Sequence, residues 1–358
     1  MPRAPRGCTR SGSAAGYRRV HDSNGRKALR QSDPVNTVSV IIPSWNKQHY
    51  IEETIDSALG QQGVGVEVVV VDDGSTDRSV EILKGYGSRI LLHCPGENAG
   101  AARARNIGAA LASGTHFMFL DADDVLGEPD TLSSLVGALA GRTDRFAACP
   151  WQRLRLDGDD WKRYSPEKPL APPGGDPISA WLGNWYIPTC AILWPRELFE
   201  ASGGWDPDLA VTNDEELMIR TLLRGASIAT VSRGEALYRY FESGGTLSTT
   251  PSRRLAAHRL ESVRRIAGEM ADQGLLPRYA HDLGRKYARL SRTYLHPFPD
   301  LSIEALSEAD RHLDPTRLEG SPLHRMMARS LGLARKERIS RWMAGRGVIR
   351  RAPPSTPA

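Results

Sequence analysis

Three carboxylates stand within four positions at Asp121-Ala122-Asp123-Asp124, directly behind the apolar run Phe117-Met118-Phe119-Leu120. A short apolar run after Gly114 predicts a buried parallel strand. The acids then sit at its carboxyl end, where open α/β sheets hold their ligands. Clustered carboxylates repel one another and raise each other's pKa, so a cation is expected among them. A divalent ion answers that need. Mg2+ or Mn2+ takes one or two protein carboxylates and shares the rest of its shell with phosphate oxygens. The competing reading is a solvated acidic turn that caps the following helix, near Pro129.

Two further acid groups occupy comparable places. Asp72-Asp73 follows the near-continuous β-branched run 66–71, a second buried strand. Asp77 suits the cap of the helix beyond that turn better than Asp73 does. Asp214-Glu215-Glu216 opens a helical pattern through Leu217 and Leu222, and acids there are favourable against the helix dipole, so capping alone also accounts for them. Arg103 and Arg105 lie near the start of a helix over 98–112.

The elements that must position these groups read in order. Val38–Pro43 is a first strand, a helix follows through Leu59, and strands at 66–71, 90–93 and 117–120 alternate with helices around 80–83 and 98–112. That alternation predicts a parallel sheet with right-handed crossovers, with the acid ends opening onto one crevice. Strand patterns return at 147–151, 188–194, 228–231 and 236–240, with a Pro/Gly-rich loop at 164–177. Trp181, Trp185 and Tyr186 suit a sugar-binding face or core packing, and packing is favoured.

Composition bounds the function. The 358 residues carry net charge +5, with 40% apolar and 25% charged residues, which is ordinary globular composition. The bias suits phosphate ligands and is too weak to argue for nucleic acid. Cys8, Cys94, Cys149 and Cys190 are widely spaced, so neither a disulfide framework nor a zinc site is expected, and a reducing compartment is the default. No apolar run approaches the roughly 18 residues of a membrane span. Residues 1–36 are basic, lack an apolar core and read as a disordered tail rather than a secretory signal.

Taken in order, residues 38–43, Val71-Asp72-Asp73-Gly74-Ser75-Thr76-Asp77, Ala104-Arg105-Asn106, Leu120-Asp121-Ala122-Asp123-Asp124, Gly203-Gly204-Trp205-Asp206 and Asp214-Glu215-Glu216-Leu217 resemble family 2 of the inverting glycosyltransferases. Single motifs are weak, but their shared order over residues 37–245 is specific. The resemblance implies the GT-A α/β fold, with a mostly parallel central sheet flanked by helices. It also implies a nucleotide-diphosphate sugar donor, UDP-sugar by default, and a carbohydrate or lipid-linked acceptor. It assigns Pro43, Ser44, Asp73 (to the uracil ring), Arg105, Asp121 and Arg239 to the nucleotide sugar. Asp123, with Asp121, would hold Mg2+ or Mn2+. Asp214 matches the general base of a Glu-Asp pair, although Asn213 stands here in place of the glutamate. For Arg105 a structural salt bridge is an equal alternative. The stretch 242–248 corresponds to a lid over the nucleotide.

The implied organisation is a tail over 1–36, a glycosyltransferase domain over 37–250, a helical region over 251–346 and a disordered tail over 347–358. Tyr279, Leu283, Tyr287, Leu290 and Tyr294 share one helical face. Leu323, Met326, Met327, Leu331, Ile339 and Trp342 form a looser stripe among arginines, read as packing in preference to a basic face on an anionic membrane. The expected setting is cytoplasmic or peripheral to the inner face of a membrane, with no nucleic-acid partner. Two readings from other classes compete. A nucleotidyltransferase would need a Gly-rich phosphate loop, which Ser44-Trp45-Asn46-Lys47 lacks, and a non-catalytic binding protein would lack the base or a metal ligand.

Overall fold

In the computed structural model, residues 37–158, 160–166, 168–241, 252–314 and 322–345 are described. The two expected tails, Cys8 and the 242–248 stretch lie outside them. The β-branched runs form strands as expected: β1 (Thr37–Ser44), helix α1 (Ile51–Leu59), β2 (Gly65–Asp72), α2 (Ser79–Gly85), β3 (Leu91–His93), α3 (Ala101–Leu111) and β4 (His116–Phe119). Val40, Ile41, Val69, Val70, Phe117 and Phe119 are fully buried. Burial of each such side chain contributes roughly 1.5–3 kcal/mol.

Beyond β4 come β5 (Val125–Leu126), α4 (Thr131–Leu139), β6 (Arg145–Ala148), β7 (Trp151–Asp157) and β8 (Asp160–Tyr164). They are followed by α5 (Pro177–Leu182), β9 (Ile192–Pro195), α6 (Arg196–Ser202), α7 (Asn213–Leu223), β10 (Ser227–Thr230) and β11 (Ala236–Tyr240). The main sheet has the order β10-β6-β9-β4-β1-β2-β3. β1, β2, β3 and β4 are mutually parallel, and β9 alone runs against its neighbours β4 and β6. A smaller sheet, β5-β11-β7-β8, closes over Val125, Leu154 and Leu237. The single strand expected at 147–151 is therefore two, β6 and β7, parted at Cys149-Pro150 and assigned to different sheets. Proline cannot donate to a central ladder, so the break falls there.

Helix α3 lies unusually close to β1. A side chain added at Gly108 would meet the Ile41 Cγ2 at 2.4 Å, so only glycine permits this approach, and it carries Arg105 toward the end of β4.

The C-terminal helices α8 (Arg253–Asp272), α9 (Leu276–Thr293), α10 (Pro299–His312), α11 (Pro322–Leu331) and α12 (Leu333–Gly345) follow. Tyr279, Leu283, Tyr287 and Leu290 are buried as expected, whereas Tyr294 at the helix end is 44% exposed. The looser stripe does not pack as one face: Met326, Ile339 and Trp342 are exposed, and Ala328, Leu333 and Ala334 are the buried residues. Gly332, at φ +77°, separates α11 from α12 and breaks the helical phase that the stripe assumed. Among the described residues, no helix is long and apolar enough to cross a membrane.

Candidate functional site

Strands β1, β2 and β4 end side by side, and their last residues with the loops beyond them form the crevice. Ser44 pairs with Asp72 across the β1–β2 ladder. Ser44 is 1% exposed, and its Oγ has no hydrogen-bond partner among the described residues. Pro43 precedes it on β1. Asp72 folds the turn on itself, accepting from the Ser75 amide at 2.9 Å and the Ser75 hydroxyl at 2.6 Å. Asp77 accepts from the Ser79 amide at the start of α2, one residue before Arg78, which is that helix's N-cap. Asp73 reaches the other way: its two oxygens accept from the amides of Ala99 and Gly100, at 2.9 and 2.7 Å. It thus anchors the chain entering α3, a contact that the sequence pattern did not disclose.

At the end of β4, each carboxylate has a different neighbour. Asp121 Oδ1 accepts from Arg105 at 2.5 Å, and the same guanidinium stacks 4.5 Å from the Trp205 ring centroid. The salt bridge expected as one alternative for Arg105 is therefore present. Asp123 accepts from the Lys47 ammonium. Burial pushes the Asp123 carboxyl up, opposed by the pull of Lys47. Asp124 neither caps α4 nor faces water, contrary to both expectations. It is 2% exposed and accepts from the Arg239 amide at 2.8 Å. Burial, and then the charge of Asp123, lift its carboxyl well above the ordinary range.

Arg239 lies beneath this group. Its guanidinium donates to the Asp123 carbonyl at 2.5 Å and to Glu53 at 2.7 Å, between the rings of Tyr50 and Trp161. Three cationic side chains, from β1's loop, α3 and β11, thus converge on the acid end of β4. Sequence reasoning singled out Arg105 and Arg239 but missed Lys47. The available signal was electrostatic: three adjacent carboxylates require cations, and Lys47 is the first one past the end of β1.

The fourth component is the start of α7. Asn106 joins it to the crevice, donating to the Trp205 carbonyl at 2.7 Å and accepting from the Trp205 amide at 3.0 Å. Of the three acids there, Glu216 is locked to Arg220 at 2.6 and 3.0 Å, and Glu215 pairs with Lys286 from α9. Asp214 has no hydrogen bond or ion pair among the described residues. The turn before it is strained: Thr212, a β-branched residue, adopts φ +56°, a conformation such residues rarely tolerate. Helix α8 braces that turn, with Ser262 donating to the Thr212 carbonyl at 3.2 Å and Arg265 paired to Asp206.

The metal expected between Asp121 and Asp123 meets a suitable donor type, two hard carboxylate oxygens at one strand end. Among the described residues no group of three or more His, Cys, Asp or Glu converges. That arrangement fits an ion held by one or two carboxylates and completed by phosphate oxygens, and it does not fit a protein-only cage.

Comparison with known proteins places this architecture. Residues 39–201 match the family described as Glycosyl transferase family 2. An uncharacterized glycosyltransferase of Rickettsia typhi is 30% identical over 196 residues, 54% of this chain and 61% of the relative. The hyaluronan synthase of Pasteurella multocida is 34% identical over 145 residues, 37% of this chain and 15% of that enzyme. The chain thus spans less than two thirds of these relatives. Among solved structures, S. aureus TarS 1-349 in complex with UDP superposes with TM-score 0.62 at 20% identity, covering 88% of this chain and 93% of that one. The sheet order, the acid-ended strands and the likeness to TarS give the chain the GT-A fold with a C-terminal run of helices, and its residues 39–201 are similar to glycosyl transferase family 2.

Proposed function

We propose that this chain is an inverting glycosyltransferase. It moves a sugar from a UDP-sugar to a hydroxyl of a carbohydrate or lipid-linked acceptor, in the synthesis of a polysaccharide, glycolipid or glycoconjugate. The observation that carries the reading is the state of Asp214. Of the three acids opening α7, it alone has a carboxylate unclaimed by another described residue, as a general base must. Asp214 takes the proton of the acceptor hydroxyl as that oxygen attacks the anomeric carbon. The bond from that carbon to the diphosphate oxygen breaks, and the nucleoside diphosphate leaves with the electron pair from the opposite face.

Pro43, Ser44 and Asp73 line the nucleoside end. The Ser44 hydroxyl is buried without a partner among the described residues, and the Asp73 oxygens keep lone pairs beyond those used by Ala99 and Gly100. Asp123 and Asp121 would hold Mg2+ or Mn2+, which when bound supplies Lewis-acid charge at the departing diphosphate. Arg105 orients Asp121, and Arg239 fixes the backbone at Asp123 from below. The division of labour proposed is donor binding and catalysis by residues 37–250 and support by the helices of 251–346, with a cytoplasmic or membrane-peripheral setting. The UDP and UDP-GlcNAc complexes of TarS support the choice of donor, and the hyaluronan synthase relative supports polysaccharide chemistry.

The test is a panel of UDP-, dTDP- and GDP-sugars assayed for nucleotide release, beside calorimetric titration of UDP in Mn2+ and in chelator. Release from a UDP-sugar and tighter UDP binding with metal are expected. A chain that neither binds UDP nor releases it from any donor overturns the reading.

A further inference from the structure

Lys47 has no assigned part in the reaction, yet it holds the carboxylate on which metal binding would depend. Its ammonium donates to Asp123 Oδ2, with the two side chains only 29% and 15% exposed. The same ammonium lies 5.6 Å from the Phe241 ring centroid.

The loop that presents Lys47 is fastened on both sides. The Asn46 amide donates to Ser75 Oγ at 2.9 Å, Asn46 Oδ1 accepts from the Thr76 amide at 2.8 Å, and the Lys47 amide donates to Ser79 Oγ at 2.9 Å. Asn46 itself adopts φ +52°, which asparagine tolerates better than most residues. The backbone of Lys47 is therefore held in place while its side chain spans from the end of β1 to the end of β4.

Both carboxylates assigned to the metal are paired without an added ion, while Asp124 keeps only the Arg239 amide. Arg105 balances Asp121, Lys47 balances Asp123, and Arg239 balances Glu53. A divalent ion entering at Asp123 meets a carboxylate that is already paired. It must either displace the ammonium or share the oxygens with it, at a cost in like-charge repulsion. A diphosphate changes that balance, because it brings enough negative charge for both cations.

We propose that Lys47 is the resident counter-ion of Asp123. It competes with a divalent metal for that carboxylate in the donor-free protein and transfers to the diphosphate when a nucleotide binds, so that metal and nucleotide bind together rather than in sequence. This rests on the assignment of Asp123 as a metal ligand. Its content beyond that assignment is a sign reversal: removing the Lys47 charge should strengthen metal binding alone and weaken nucleotide binding.

The experiment compares wild type with Lys47→Met, which keeps the length of the chain and removes its charge. Free Mn2+ is followed by electron paramagnetic resonance, and UDP binding by calorimetry at saturating Mn2+. Circular dichroism confirms that both proteins are folded. Without nucleotide, Lys47→Met should bind Mn2+ at least tenfold more tightly than wild type, and Asp123→Asn in the same background should abolish the gain. With Mn2+ present, Lys47→Met should bind UDP at least tenfold more weakly. Equal or weaker Mn2+ binding by folded Lys47→Met, with wild type still taking up Mn2+ beside UDP, overturns the competition and leaves the metal assignment standing. No Mn2+ uptake by wild type, with or without UDP, overturns the metal assignment and the competition with it. Should Lys47→Met prove unfolded, Lys47→Gln is measured under the same criteria.

Discussion

Asp214 and Glu216 stand two residues apart in the first turn of one helix, and substituting them should separate catalysis from stability. Asp214→Asn removes a charge that makes no hydrogen bond or ion pair among the described residues, and α7 has no side-chain cap to lose. What remains is the interaction of one first-turn carboxylate with the helix dipole, about 0.3–1 kcal/mol. For a chain of this size that moves Tm by no more than about 4 °C. Turnover should fall by about 10²–10⁴-fold, because asparagine cannot accept the acceptor's proton. Glu216→Gln should do the reverse. Its carboxylate is 5% exposed and grips Arg220 through both oxygens, while Arg220 also donates to the Gly204 carbonyl at 2.9 Å and to the Ser202 carbonyl. Breaking one side of a buried pair costs about 3–5 kcal/mol, so the fall in Tm should be several times larger than for Asp214→Asn. Steady-state nucleotide release and thermal melts on the same preparations read both effects. Wild-type turnover in folded Asp214→Asn would refute the base assignment. A large loss of stability there would show that Asp214 has a structural partner that this reasoning lacks.

Three further outcomes follow from named contacts. Asp73→Ala should lower Tm as well as UDP affinity, because the part-buried amides of Ala99 and Gly100 lose their acceptor at about 0.5–1.5 kcal/mol each; melts with and without UDP separate the two losses. Glu67 accepts from the Ser39 hydroxyl at 2.5 Å and from the Ser113 amide and hydroxyl, and although burial works to raise its carboxyl, these bonds hold it below the ordinary 4.5. A depressed folded-state pKa contributes stability above the unfolded value that is lost as pH falls through the folded one, so the Tm gap between wild type and Glu67→Gln should be full at pH 7 and shrink as pH falls below the ordinary 4.5. Thr212→Asn should raise Tm by the equivalent of about 1 kcal/mol, since asparagine occupies the left-handed region at lower cost.

Much of the donor half was legible because its signals are local. Val38–Ile42 and Val66–Val71 are β-branched runs that end at proline or at acids, and both formed strands whose ends carry the site. The antiparallel β9 and the second sheet left no such mark, because partner choice among short strands depends on neighbours far along the chain. Side-chain pairing was legible least. Lys47 meets Asp123 across 76 residues, Arg239 meets Glu53 across 186, and Lys286 meets Glu215 across 71, and no periodicity reports contacts at such separations. Asp124 misled for a related reason. An acid before a helix ordinarily caps it, but a backbone donor supplied by β11 permitted its burial instead.

The bracing of α7 from behind has a consequence for how the molecule is assembled. The turn entering that helix depends on Ser262 and Arg265, and Glu215 depends on Lys286. These are non-local contacts, which close late because chain entropy must be lost before they form. The acids of β4, in contrast, have two of their cations, Lys47 and Arg105, upstream in the chain. During synthesis the donor crevice can therefore acquire most of its charge partners well before the base helix is tied down. A chain stopped near residue 250 would carry every residue assigned to the nucleotide, yet lack each of the three side chains that hold α7 from α8 and α9.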